Sequence, residues 1–377
     1  MAVKVVTDGL TYAKAGVDIP LAERVLEERI KPACLRTQDP EVLKSGIGPF
    51  AAAIMVGPLL ERLSVRKIWD TRDLVLMLAT DGPGTIPLLA RVAKKAGHAQ
   101  AFRTLGYNVA AHLFADLACG GGYPVAVLDS IGSTDIDPDI YGGIVEGMAD
   151  ACMEFSEVLG DFKPMIVGGE TAQLPGLIKK GETNFEGFAM AVVHRDEMIK
   201  PEVSLKPKNF VVGIPVDFQM LNGVSLLRKI LAKVGKKVTD YMPGTNYTFA
   251  EMMIQRQPNF AMMVHAIRKE GMGIWGASHI TGGGLPGNLK RILPPNRDIV
   301  LEQERWEVPE MFRWFIEAGD VPLDDAYKTW NMGIGYVLVI PSYRSARKAV
   351  ALIREEYGLK ARIIGRVTEG SGEVIIK

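Results

Sequence analysis

The chain has 377 residues, more than one hydrophobic core usually carries, so two domains are expected. Its 44 basic and 44 acidic side chains cancel at neutral pH. No overall field therefore draws it to nucleic acid or an anionic membrane, and any phosphate site has to be local. No apolar run approaches the ~20 residues of a bilayer span, and Met1 to Asp8 lack the basic-then-apolar order of a signal peptide. Cys34, Cys119 and Cys152 show no CxxC spacing, which fits thiols in a reducing cytoplasm. The five histidines show no HExxH or other ligand pair and are expected on the surface or as satisfied core residues.

In chain order, residues 21–36 carry a helical apolar stripe through Leu21, Val25, Leu26 and Ile30. DLVLMLA (73–79) reads as a buried strand ending in the glycine-punctuated loop TDGPGT. A helix over 107–118, a strand at PVAVLD (124–129) and a helix over 139–159 follow. The strand PMIV then runs into a loop, GGET, and FEGFAMAVV (185–193) closes the first half. The polar, proline-bearing stretch 196–208 marks a boundary. Beyond it come the strand NFVVGIP, a helix with Leu226, Leu227 and Ile230 on one side, a helix over 251–270, and SHITGGG opening another helix. The strand GYVLVIP, a helix over 343–357 and the strand ARIIGRV complete the chain. Neither half shows regular βαβ alternation, so the fold class is α+β, with domains at 1–196 and 197–377.

Asp81, Asp129 and Glu170 fall just after apolar strands, and Asp116 lies at a helix end. Carboxylates without cysteine or histidine partners suit a hard cation such as Mg²⁺ with substrate phosphates. Asp beside Gly is equally a turn former, and that alternative stays open. The glycine clusters SGIGPF, CGGGYP, VGGET and HITGGG let backbone N–H groups approach an anion, although none matches GxxxxGK[ST] or GxGxxG. Together they suggest a nucleotide site without naming its reaction. The Met-rich stretches around Met252 and Met262 read as core filler.

The order of these motifs resembles the phosphoribosylformylglycinamidine cyclo-ligase family over nearly the whole chain. TYAKAGVD (11–18) is similar to that family's SYKDAGVD, SGIGPF to its GGLGGF, and TDGPGT to its TDGVGTK. VLDSIGSTDIDPD, VGGETAQLPG, HITGGGLPGNLKRILP and YKTWNMGIGYVLVIP follow in family order. The resemblance implies two mixed α/β-layer domains, the first dimerising through its sheet and the second packed on it to complete a cleft. It also implies a homodimer acting on small-molecule nucleotide substrates, with ATP and Mg²⁺ as cofactors. Asp81, Lys14 and His279 are then the expected catalytic residues. Gly46, Gly48, Asp81, Gly82, Thr85, Asp116, Gly168, Gly169, Glu170 and Thr171 would bind ATP, with Asp81, Asp116 and Glu170 on the metal. Asn222, Gly223, Thr281, Gly282 and Gly283 would face the substrate.

The chain departs from the family pattern at several polar positions. Ala13 and Lys14 stand where the family has lysine and aspartate, Ile86 replaces a lysine, and Ala115 an asparagine. The family's GPHSNG reads DFQMLNG (217–223), and its threonine-arginine pair is Asn259-Phe260. A relative with the same ATP chemistry but another substrate, as in thiamine-phosphate kinase, selenophosphate synthetase or the hydrogenase-maturation dehydratase, is the alternative, followed by a non-catalytic descendant.

Overall fold

The computed structural model describes residues 19–43, 54–63, 71–155 and 162–377. Near the start, α1 (Ile19–Val25) and α2 (Lys31–Leu35) are joined through a π-wound turn, and α3 (Val56–Leu63) follows. The first half then runs β1 (Leu74–Asp81), α4 (Ile86–Lys95), α5 (Ala101–Cys119), β2 (Tyr123–Ser133), α6 (Pro138–Glu154), β3 (Met165–Gln173) and β4 (Thr183–His194). Among the described residues its strands form a four-stranded sheet, ordered β1-β4-β2-β3. The β1–β4 and β4–β2 pairs are antiparallel, while β2 and β3, linked through α6, run parallel.

After a short α7 (Pro201–Ser204), the second half contributes β5 (Phe210–Pro215), α8 (Val224–Lys233), α9 (Phe249–Met253), α10 (Phe260–Lys269), β6 (Gly276–His279) and α11 (Gly284–Lys290). It continues with β7 (Arg297–Leu301), α12 (Glu310–Gly319), α13 (Leu323–Thr329), β8 (Ile334–Ile340), α14 (Tyr343–Tyr357), β9 (Arg362–Glu369) and β10 (Val374–Ile376). These strands build a six-stranded sheet, β10-β7-β9-β5-β8-β6, antiparallel except at β10–β7. Both halves are thus mixed α/β layers. β8 is buried along its whole length, as its uninterrupted apolar run requires.

Helix α5 (AFRTLGYNVAAHLFADLAC) is apolar nearly all round, and such a helix has to be covered on every side. It packs on the first sheet, on α4 and α6, and on α10 and β6 of the second half. Its approach to α6 is set by Gly147, where an added Cβ would lie 1.9 Å from the Arg103 carbonyl oxygen. Arg103 Nε and Nη2 then bind the Asp150 carboxylate at 2.6 and 3.0 Å along the rim of the same contact.

Four expectations change. β1 is not a buried strand: its inner face meets α5, but Leu76 and Leu78 are 63% and 79% exposed on the other. Leu128 and Phe188 share that open face, because successive strand residues alternate sides. The GGET segment is not a loop but the continuation of β3, and Asp129 lies inside β2. The helix expected over 251–270 is two helices, because Pro258 cannot supply a helical N–H and biases Gln257 away from α geometry. Asn108 of α5 replaces the missing bonds: its Nδ2 donates to Gln255 O at 2.8 Å and its Oδ1 accepts from Gln257 N at 2.9 Å.

Gly147→Ala should cost about 1–3 kcal/mol through overpacking of α5 on α6. Denaturant unfolding with an unchanged midpoint would show that the two helices have room to separate.

Candidate active site

Asp81 ends β1, and the Gly82 N–H donates to its Oδ1 at 2.7 Å, so the turn that leaves the strand aims the carboxylate. Its Oδ2 lies 3.0 Å from His112 Nε2 of α5. That contact has ion-pair distance but not hydrogen-bond alignment, and both ring nitrogens of the buried His112 are without a hydrogen-bond partner. Asp116 follows one helical turn later on the same face of α5. Its Oδ1 accepts from Nδ1 of His279, the last residue of β6, at 2.8 Å. The two imidazoles lie with ring centroids 4.3 Å apart, and Phe260, stacked on Tyr336, closes the apolar side of the cluster.

Burial alone would raise both carboxylates, but the imidazoles beside them outweigh it and hold Asp81 and Asp116 below the usual range. Burial and the neighbouring His112 push His279 down, against the pull of Asp116. A neutral His279 that donates from Nδ1 keeps a lone pair on Nε2, and that buried atom is without a partner.

The opposite wall comes from loops of the second half. Thr85, which precedes α4, places its Oγ1 3.4 Å from Ser225 Oγ in the first turn of α8. Gly223 caps α8 at φ 77°, and a Cβ there would sit 2.2 Å from Trp330 Nε1, so both backbone conformation and space demand glycine. Asn222 has a buried Nδ2 without a partner, and its Oδ1 lies 3.7 Å from where a Gly282 Cβ would be. Thr281, Gly282 and Gly283 are held by Asn288, whose Nδ2 donates to the carbonyls of Thr281, Gly282 and Gly284. Asn288 was not among the expected residues.

The expected nucleotide residues do not all gather here. Asp81, Gly82, Thr85 and Asp116 line the region between the halves, together with His279, Thr281, Gly282, Gly283, Asn222 and Gly223. Across the first sheet Asp81, Gly187, Asp129 and Gly169 share one row, and that row faces the helices, since a Gly187 Cβ would touch Leu113 and Val109. Glu170 and Glu186 are one residue out of step and project to the open face, as does Gly168. Asp81, Asp116 and Glu170 therefore do not converge as one three-carboxylate set. Gly169 and Thr171 line a cavity of about 300 Å³ beneath α1. Burial, reinforced by the negative charge of Glu170, pushes the Asp129 carboxyl up to about 7. Lys14, Gly46 and Gly48 lie outside the described residues.

One further signal stands in the sequence. His112 and Asp116 are spaced to share one helix face, which contradicts the expectation that every histidine is a surface or satisfied core residue. The DFQMLNG loop is built inward: Phe218, Gln219, Met220 and Leu221 are all buried, and Asn331 Nδ2 donates to Phe218 O at 2.8 Å. Phe260 likewise fills the space beside His279 and Tyr336 instead of offering a charge. Restoring family residues with Met220→His and Leu221→Ser would bury unpaired polar atoms and cost about 2–5 kcal/mol. A double variant that melts with wild-type stability would show that the loop can turn outward.

Residues 65–193 match the family described as AIR synthase related protein, N-terminal domain, and residues 220–377 its C-terminal domain. A phosphoribosylformylglycinamidine cyclo-ligase of Alkaliphilus oremlandii is 32% identical over 97% of this chain and 99% of its own. One from an Anaeromyxobacter species is 35% identical over 97% of each. In fold the chain is similar to thiamine-monophosphate kinase of Stenotrophomonas maltophilia, with a TM-score of 0.63 at 17% identity over 94% of this chain and 96% of that one. It is also similar to the hydrogenase maturation protein HypE of E. coli, with a TM-score of 0.60 at 14% identity over 94% and 92%. With near-full-length likeness at this identity and both domains matched in order, the chain belongs to the AIR synthase related family and, within it, to the ATP-dependent phosphoribosylformylglycinamidine cyclo-ligases.

Proposed function

We propose that the chain closes the imidazole ring of aminoimidazole ribonucleotide from formylglycinamidine ribonucleotide at the expense of ATP. The amide oxygen of the substrate takes the γ-phosphoryl group and ADP leaves. The amidine nitrogen then adds to the activated carbon, loses its proton, and inorganic phosphate carries the oxygen away. The observation that supports this reading most is the meeting of Asp81, Thr85 and Asp116 from the first half with Asn222, Ser225 and His279 from the second. Two halves facing one another can hold the two reacting ends of one substrate beside a nucleotide, and the gain is positional.

Mg²⁺ accompanies nucleotide phosphates through one or two carboxylates, and Asp81 with Asp116 fits that donor set. Bound there with ATP, it would offset the phosphate charge. Glu170, on the other face of the sheet, belongs to a different part of the surface in this reading. His279 steadies Asp116 through its Nδ1–H bond, and Lys14 is retained as a catalytic group on its motif position alone.

A related enzyme with another substrate is the second reading. The observation that favours it is the inward-packed loop 217–223 with Phe260, which offers core side chains where the family offers polar ones. ADP release by the purified protein should rise at least ~10-fold on adding formylglycinamidine ribonucleotide, the scale of one charge-assisted contact. Release indifferent to that compound would favour the second reading.

We read the open face of the first sheet as the homodimer surface, since Leu76, Leu78, Leu128 and Phe188 expose apolar area that a two-fold partner would cover. Sedimentation at micromolar concentration should give twice the chain mass, and a monomer would remove this assignment. Placement in the cytoplasm is supported by the three free thiols, two of them buried, and among the described residues no helix is long and apolar enough to cross a membrane.

A further inference from the structure

We propose that His112, Asp116 and His279 bind a divalent transition cation of the Zn²⁺ class, a site separate in chemistry from the Mg²⁺ that accompanies ATP. One ligand atom from each of the three side chains lies within 4.8 Å of the others. In a tetrahedral site with bonds of ~2.0 Å the ligand atoms stand about 3.3 Å apart, so modest side-chain rotation closes the set. Two imidazoles and a carboxylate are a donor set for zinc or its neighbours, whereas Mg²⁺ prefers oxygen alone.

The second observation is the state of the imidazole nitrogens. His112 is 1% exposed and His279 4%, yet Nδ1 of His112 and Nε2 of His279 have no hydrogen-bond partner, while Nε2 of His112 faces only the Asp81 carboxylate. A buried ring nitrogen without a partner is costly unless something fills the place. A cation accepts lone pairs from both rings at once, which no single hydrogen can do. The carboxylates stand where such a site needs them. Asp116 Oδ1 lies 2.8 Å from His279 Nδ1, and Asp81 Oδ2 lies 3.0 Å from His112 Nε2. Asp81 can fix the orientation of His112 and leave Nδ1 of that ring for the metal, and Asp116, with Oδ1 on His279, keeps its second oxygen for the metal. The apolar wall of Phe260 and Tyr336 keeps the cluster dry on one side.

The inference goes beyond the cyclo-ligase reading and does not need it. Asp116 is common to both, so the experiment omits nucleotide and uses chelator-treated full-length protein. Titration with Co²⁺ should give the visible absorption of a four-coordinate nitrogen–oxygen site, saturating at one equivalent and displaced by Zn²⁺ but not by a thousandfold excess of Mg²⁺. His112→Met and His279→Gln should each weaken binding by at least ~100-fold, and Asp81→Asn by roughly 10-fold to 100-fold, the scale of an orienting partner. Wild-type protein that takes up no Co²⁺ at millimolar concentration overturns the proposal whatever the variants do. So does a Co²⁺ signal that survives in His112→Met, or one that Mg²⁺ displaces at comparable concentration. Failure of ADP release with the ribonucleotide would leave these readouts unchanged, which separates the two readings.

Discussion

The rest of the molecule depends on the burial of α5 on every side. A helix apolar all round cannot rest on one sheet with its back to water, and each fully buried large side chain on it is worth roughly 1.5–3 kcal/mol. The first sheet with α4 and α6 covers one part, and α10 with β6 another. The cost of that position is that polar groups on the side of α5 facing the second half have to be answered from there. Asn108 is answered by the backbone of 255–257, and Asp116 by His279. Tyr336 completes the set by donating to the Ala115 carbonyl at 3.2 Å.

The chemistry of the cleft follows from the same arrangement. Asp81 and Asp116 reach it from a strand end and a helix face, and each meets an imidazole rather than a lysine or arginine. Partners that can give up their charge leave the carboxylates available to a cation, where a guanidinium would hold them. The two carboxylates thus remain in altered company, while the polar substrate contacts expected from 217–223 and 259–260 have become core.

Most of the fold was legible because its signals are local. The 343–357 helix matches α14 residue for residue, and GYVLVIP and NFVVGIP carry the unbroken apolar runs of central strands. What escaped were features decided by tertiary neighbours. Gly168 to Thr171 look like a turn, yet the register with β2 keeps them extended. Residues 254–259 keep helical periodicity in their flanks while Pro258 and Asn108 hold the centre open. In the site, the motifs name Asp81, Asp116 and His279, which lie near one another, but also Glu170, which the register turns to the other face, because strand parity cannot be read without it. His112 was overlooked because a single histidine in an alanine-rich helix reads as filler until the partner ring from β6 is beside it.

The contacts made just beyond the end of α5 bear on how the two halves behave as units. Arg268 donates to the carbonyls of Gly121 and Glu197, His265 bonds the Gly122 carbonyl, and Tyr123 stacks on the His265 ring at 4.2 Å. These contacts tie the exit of α5 to α10. Severed at the 196–208 stretch, each piece would expose what now meets across the boundary, Tyr123 and Phe155 on one and His265 and Tyr336 on the other. A chain of two domains by topology should therefore melt as a single cooperative body in a calorimeter.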